Sequence, residues 1–166
     1  RGTMKHIQPH DSVWREFEHI HILFELVVSA SCFGQLKRHR MATITPQPYS
    51  TDLGIKVPPS VERCGGGDKF SETAGLSTRF FDKLRERAGT AAYYALTNGH
   101  RRRVLFDVNL RELYHFSRLR SDRHSQWEIR ALSDDICRLV KEKVPLGAEL
   151  LGGKDTFSPC RADEGG

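Results

Sequence analysis

The sequence predicts an α+β domain. One observation is the alternation of Ile20, Ile22, Phe24, Leu26 and Val28, which fall on one face at the strand period of two. A second short apolar run, Arg103–Val108, reads as another strand. Helical periodicity gathers after the first strand, at Leu76, Phe80 and Leu84, then Leu110, Leu113 and Phe116, then Ile129, Ile136 and Val140. Few strands with clustered helices, rather than a regular alternation, indicate α+β.

In chain order, the first strand is predicted over Glu18–Val28. Ser29 is a suitable N-cap for a short helix over Ala30–His39, where Phe33 and Leu36 stand three apart. That helix runs into the basic stretch Lys37-Arg38-His39-Arg40. Thr43–Gly67 holds Pro46, Pro48, Pro58, Pro59 and Gly65-Gly66-Gly67, which predicts a long functional or mobile loop. A helix over Ser71–Arg87 is expected to carry Leu76, Phe80 and Leu84 as its apolar stripe. A second, over Thr90–Thr97, stops at the C-capping pair Asn98-Gly99. After the strand at Arg103–Val108, Asn109 opens a helix, with Glu112 at capping-box spacing and Leu110, Leu113, Phe116 and Leu119 as a stripe. Ser121 or Asp122 caps the last helix, in which Ile129, Leu132, Ile136, Leu139 and Val140 keep helical period and which Pro145 ends.

The 166 residues suit a single domain, 1–166, able to bury a core without staples. Apolar residues at 38% and charged residues at 28% are those of a globular chain, and no apolar run is long enough to cross a bilayer. Arg1–Asp11 has no apolar segment, so no signal peptide is expected, and Arg1-Gly-Thr before Met4 reads as a cloning scar. Cys32, Cys64, Cys137 and Cys160 are scattered without a CxxC pair, which argues against a metal site and for reduced thiols in a cytoplasmic protein. The net charge of +5 favours anionic partners without choosing among them.

Two segments carry candidate chemistry. Gln35-Leu36-Lys37-Arg38-His39-Arg40 is either a basic helix end complementing its dipole or an anion site built on the planar fork of arginine. Asn109 and Arg111 stand at a helix start, where free backbone N–H groups favour anions, while Arg120 and His124 flank a helix break. Alone, these residues also read as surface charges around a turn.

Taken together, the segments resemble the signature regions of the flavin-dependent thymidylate synthases. Phe17-Glu18-His19 and Arg38-His39-Arg40 match two family motifs. Asn109, Arg111, Leu113 and the run Leu119–Ile129, which includes Arg120, Asp122, His124 and Gln126-Trp127-Glu128-Ile129, match the downstream signature in order. The resemblance implies the family fold, a small sheet with packed helices, here with a shortened N-terminus. It implies FAD, methylenetetrahydrofolate as carbon donor, NAD(P)H as reductant, and a homotetramer with shared active sites. Glu18, Arg38, His39, Arg40, Asn109, Arg111, His115 and His124 are implied to contact FAD. Gln35, Arg38, Ser50 and Arg120 are implied to face the nucleotide, with Arg120 and His124 as the catalytic pair. No cysteine is implied as nucleophile, and Pro159-Cys160 is discounted for that role.

The chain departs from the pattern in one stretch. After Arg-His-Arg the family reads x-x-Ser-x-Asn-Glu-x-Ser-x-Arg-Tyr, whereas Thr43, Pro46, Pro48 and Ser50 stand at the Ser, Glu, Ser and Arg positions here. A second phosphate-binding arginine of the family aligns with Tyr93. Candidate replacements are Arg63, Arg79 and Arg101-Arg102-Arg103. Proline removes backbone donors, so sugar and phosphate contacts are expected to change while Arg120 still reads the uracil ring. The pattern is similar to that of shortened family members that methylate UMP and dUMP in polyoxin nucleoside-antibiotic biosynthesis. The expected activity is therefore flavin-dependent C5 methylation of UMP, dUMP or both, UMP at least as well as dUMP. The alternatives are a non-catalytic homologue serving as a structural domain, and a nucleic-acid-binding module, for which the stripe of basic and aromatic residues is missing.

Overall fold

A computed structural model describes residues 11–154. The Arg1-Gly-Thr segment and the Pro159-Cys160 pair lie outside the described residues. The elements are β1 (His21–Ser29), α1 (Ala30–Leu36), β2 (Thr43–Pro46), α2 (Pro59–Arg63), α3 (Gly67–Ala88), β3 (Arg101–Asn109), α4 (Leu110–Arg120) and α5 (Trp127–Lys143). Short 3-10 turns occupy Arg15–His19 and Gly89–Ala95. The three strands form an antiparallel sheet in the order β1-β3-β2, which confirms the α+β class. Among the described residues no helix is long and apolar enough to cross a membrane.

The chain divides into two compact units. One holds the described residues up to Leu23, His39–Thr43 and those from Asp107 onward; the other holds Phe24–Arg38 and Ile44–Phe106. In the first unit, α4 and α5 pack together over Leu110, Leu113, Phe116, Ile129, Ile136 and Val140. Tyr114 is buried with them, donates its hydroxyl to the Gly147 carbonyl at 2.7 Å, and has its pKa pushed up to about 12 by burial. The second unit closes around Leu26, Val28, Cys32, Leu36, Phe81, Val104 and Phe106. There Phe24 stacks on Phe106 across the strands, with ring centroids 6.2 Å apart.

Several expectations hold. The even-numbered residues of β1 turn inward, and Ser29 caps α1 by accepting the Cys32 amide at 3.0 Å. Asn109 caps α4 through the Glu112 amide at 2.8 Å. Cys32 and Cys137 are buried free thiols, and burial raises the pKa of Cys137.

Others are corrected. Glu18 lies in the 3-10 turn that precedes β1, where the Phe17 amide donates to the Trp14 carbonyl. The stretch Thr43–Gly67 is not all loop. It contains β2, α2 and a bridge from Ile55 to His100. Pro46 is tolerated there because β2 is an edge strand, where a missing donor costs little. Residues Gly89–Ala95 form 3-10 rather than α structure, set off from α3 by Gly89 at φ 53°, a conformation that suits glycine.

The α3 stripe also faces the other way. Leu76 and Phe80 are 55% and 61% exposed, while Ala74 and Phe81 are buried. The polar neighbours of Phe81 turn inward because each has a partner there. The Ser77 hydroxyl bonds the Ala95 carbonyl, and the Thr78 hydroxyl lies 3.0 Å from His100 Nε2. His100 is itself buried, which depresses its pKa. Leu119 and Leu139 are likewise exposed rather than inside. Finally, α5 is capped not by Ser121 or Asp122 but by Gln126, whose side chain accepts the Glu128 and Ile129 amides at 3.1 and 2.9 Å. Asp122 instead closes the preceding turn by accepting the His124 amide.

Candidate functional site

The first unit contains a stripe on α4 formed by Glu112, Phe116 and Arg120, four residues apart and so on one helix face. His39 lies over that stripe. Its side chain is 3% exposed, and its ring meets the Phe116 ring edge-on with centroids 4.9 Å apart. His39 Nδ1 lies 3.2 Å from Glu112 Oε1, and Arg120 Nε donates to His39 Nε2 at 2.9 Å. Because a guanidinium only donates, Nε2 must be the acceptor. Nδ1 then carries the proton and donates it to Glu112, which fixes the tautomer. The result is a carboxylate–imidazole–guanidinium chain, built around a buried imidazole, that orients Arg120 at the end of α4.

Beside it opens a cleft of about 600 Å³ whose lining includes Glu18, Met41, Asn109, Arg111, Glu112 and His115. Arg111 is anchored at two points, with Nε on the Val13 carbonyl at 2.9 Å and a terminal nitrogen on Glu18 Oε1 at 2.5 Å. That hydrogen bond, with further help from the charges of Arg15 and Arg111, holds the Glu18 carboxyl below its usual range despite some opposing desolvation. Asn109 stands at the N-terminus of α4, where amide dipoles favour an anion.

Glu18, His39, Asn109, Arg111, His115 and Arg120 thus gather in one unit, with Arg40 exposed beside them in sequence. His124 belongs to the same unit but sits exposed on the turn before α5, with Arg123 Nε donating to its ring at 3.1 Å; it is not part of the cleft lining. Gln35, Arg38 and Ser50 belong to the second unit. Ser50 lines a separate cleft of about 520 Å³ there, together with Tyr49, Asp52, Phe81, Arg85 and Tyr93.

Two features escaped the sequence reading. Glu112 reads as a capping-box glutamate, yet its side chain turns to His39. The available signal is its spacing from Phe116 and Arg120 along one helix face. Of the proposed stand-in arginines, Arg63 and Arg79 are exposed elsewhere, Arg103 pairs with Glu25, and Arg102 is buried. The arginine on the second cleft is Arg85, one helical turn beyond Phe81, a spacing that the misassigned stripe concealed.

A family model described as thymidylate synthase complementing protein matches residues 1–146. The chain is 28% identical over 146 residues to a UPF0159 protein of Thermoplasma acidophilum, covering 87% of the chain and 29% of the relative. It is 33% identical over 143 residues to the flavin-dependent thymidylate synthase of Sulfolobus acidocaldarius, covering 80% and 54%. It is 32% identical over 167 residues to the enzyme of the same name from Geobacter sulfurreducens, covering 95% and 70%. The match covers only part of each relative's own length, from 29% to 70%.

Proposed function

The chain belongs to the thymidylate synthase complementing protein family, and from that premise we propose that it methylates C5 of a uridine nucleotide, UMP or dUMP, in a flavin-dependent reaction. The observation that carries this reading is the chain Glu112–His39–Arg120, which joins the histidine of one motif to the helix of the other around a buried imidazole, beside a polar cleft. FAD, when bound, supplies the hydride, methylenetetrahydrofolate the carbon, and NAD(P)H re-reduces the flavin.

The cleft suits such a group. A carbonyl-rich, phosphate-bearing cofactor needs cationic and amide donors, and Arg111 and Asn109 line the cleft to provide them. Glu18 and the Val13 carbonyl lock Arg111 in place before any ligand arrives, which lowers the ordering cost of binding. Arg38, His39, Arg40, His115 and His124 are the further proposed FAD contacts. At the nucleotide, Arg120 is proposed to stabilise negative charge that builds on the pyrimidine carbonyl as C5 becomes nucleophilic.

We assign Gln35, Arg38 and Ser50 to the nucleotide as well, and a homotetramer to the assembly. The outward apolar residues Leu23, Val27, Leu76, Phe80 and Leu105 support association with further copies. A non-catalytic, structural homologue is the second reading. It is favoured by the loop at Pro46–Ser50, where Ser50 binds its own neighbour Asp52 at 2.5 Å.

Flavin content decides between them. Arg111→Ala is expected to fold and to lose most bound FAD, measured as flavin absorbance per chain; full retention counts against the assignment. Tritium release from C5-labelled UMP and dUMP tests the reaction itself. It is expected to depend on FAD and to proceed with UMP at least as well as with dUMP. A preference for dUMP of about a hundredfold, roughly 2.7 kcal/mol, returns the chain to ordinary thymidylate synthesis.

A further inference from the structure

In the second unit, five side chains form a continuous array. The buried guanidinium of Arg102 lies 4.6 Å from the Phe33 ring centroid and 4.0 Å from that of Tyr49. Tyr49 in turn meets Tyr93 at 5.7 Å, and Tyr93 stacks on Phe81 at 5.9 Å with planes 16° apart. Arg102 is further tied to the Gln47 carbonyl. Tyr49, Tyr93 and Phe81 are therefore fixed walls rather than mobile surface rings, and all three line the cleft of about 520 Å³. That size lies within the range of small-molecule sites.

The polar groups on this cleft are of opposite kinds. Arg85 makes no ion pair with any described residue, although Asp52 lines the same cleft. Asp52 is held from its own side. Oδ2 accepts the Ser50 hydroxyl, and the Asp52 amide donates to Ser50 Oγ at 3.0 Å. The cleft thus presents a cation and a carboxylate kept apart, over aromatic walls. A ligand that satisfies both carries an anion at one end and hydrogen-bond donors at the other, as the phosphate and the sugar hydroxyls of a nucleotide do. A carboxylate repels phosphate and accepts from hydroxyls, whereas a guanidinium does the reverse, so the pair also sets the ligand's direction.

We propose that this cleft binds the sugar-phosphate part of a ribonucleoside monophosphate, with Arg85 meeting the phosphate and Asp52 accepting the ribose hydroxyls. The assignment rests on the nucleotide reading above and gives it a residue-level basis. A ribose offers Asp52 one more donor than a deoxyribose does, so Asp52 sets the sugar preference and Arg85 the requirement for phosphate.

Direct binding tests this without turnover. UMP, dUMP and uridine are titrated calorimetrically into the full chain and into Arg85→Ala, Asp52→Ala and Arg87→Ala, each checked for folding by circular dichroism. All three positions are exposed, so the fold is expected to persist. Arg85→Ala is expected to weaken UMP about tenfold or more while leaving uridine unchanged, because a charge-assisted contact is lost only where phosphate is present. Arg87→Ala, which removes a charge from the same helix outside the cleft, is expected to stay within about twofold. Asp52→Ala is expected to narrow the difference between UMP and dUMP. Equal UMP affinity in Arg85→Ala, or no UMP binding by the unmodified chain, overturns the proposal. The two readings fail separately. FAD-dependent tritium release that is indifferent to Arg85 sinks the cleft assignment alone. Arg85-dependent UMP binding in a chain that neither holds flavin nor releases tritium sinks the methylation reading alone.

Discussion

Arg120→Ala is expected to lower kcat/KM for C5 tritium release by about two to three orders of magnitude, roughly 2.7–4 kcal/mol, as when one preorganised donor to a developing oxyanion is removed. Bound flavin is expected to remain, because Arg120 is not among the residues lining the cleft that holds Arg111 and Asn109. The reason for so large an effect is orientation. Arg120 is fixed through Nε by His39, which is fixed in turn by Glu112, so the guanidinium does not reorganise as charge appears. Lysine is a poor substitute, since a single ammonium cannot bond His39 and present a planar fork to the substrate. Arg120→Lys is therefore expected to recover little of the activity. A loss below about tenfold for Arg120→Ala, with the fold intact, removes Arg120 from the chemistry.

Phe116→Ala is expected to destabilise the chain by about 3–5 kcal/mol, the usual cost of truncating a fully buried phenylalanine. Phe116 is 0% exposed and sits where the α4–α5 core meets the His39 ring. The substitution therefore removes both core volume and the surface on which the imidazole rests. Urea unfolding monitored by circular dichroism measures the first effect. The second appears as a loss of tritium release in the protein that remains folded. A change in stability below about 1 kcal/mol means the core has collapsed around the gap or was never close-packed there.

The sequence made these elements legible to different degrees, for physical reasons. β1 and α1 could be read because Ile22 to Val28 alternate and Ser29 caps its own helix, both local effects. The α3 face could not, because Ser77 and Thr78 turn inward to partners at Ala95 and His100 that periodicity does not contain. The same holds at the site. Arg38-His39-Arg40 and Asn109–Arg120 stand out as motifs, but the bond between His39 and Glu112 joins residues 73 apart in sequence. A capping-box spacing accounts for Glu112 locally, so nothing in the helix itself announces its longer reach. Asp52 and Arg85 are hidden for the same reason, since one lies in a Pro-rich stretch and the other on a helix whose inward face follows distant partners rather than apolar period.

The sheet order carries a consequence for how the chain is made. β1 pairs with β3 and not with any strand next to it in sequence, and the ion pair from Glu25 to Arg103 spans 78 residues. A chain emerging from a ribosome at about 5–20 residues per second releases β1 several seconds before its partner exists. During that interval Phe24, Leu26 and Val28 have no neighbouring strand to cover them. α3, whose contacts are local, can form while β1 waits. The central strand is thus the last of the three to be synthesised, and its arrival is the step that turns a string of local pieces into a cooperative fold.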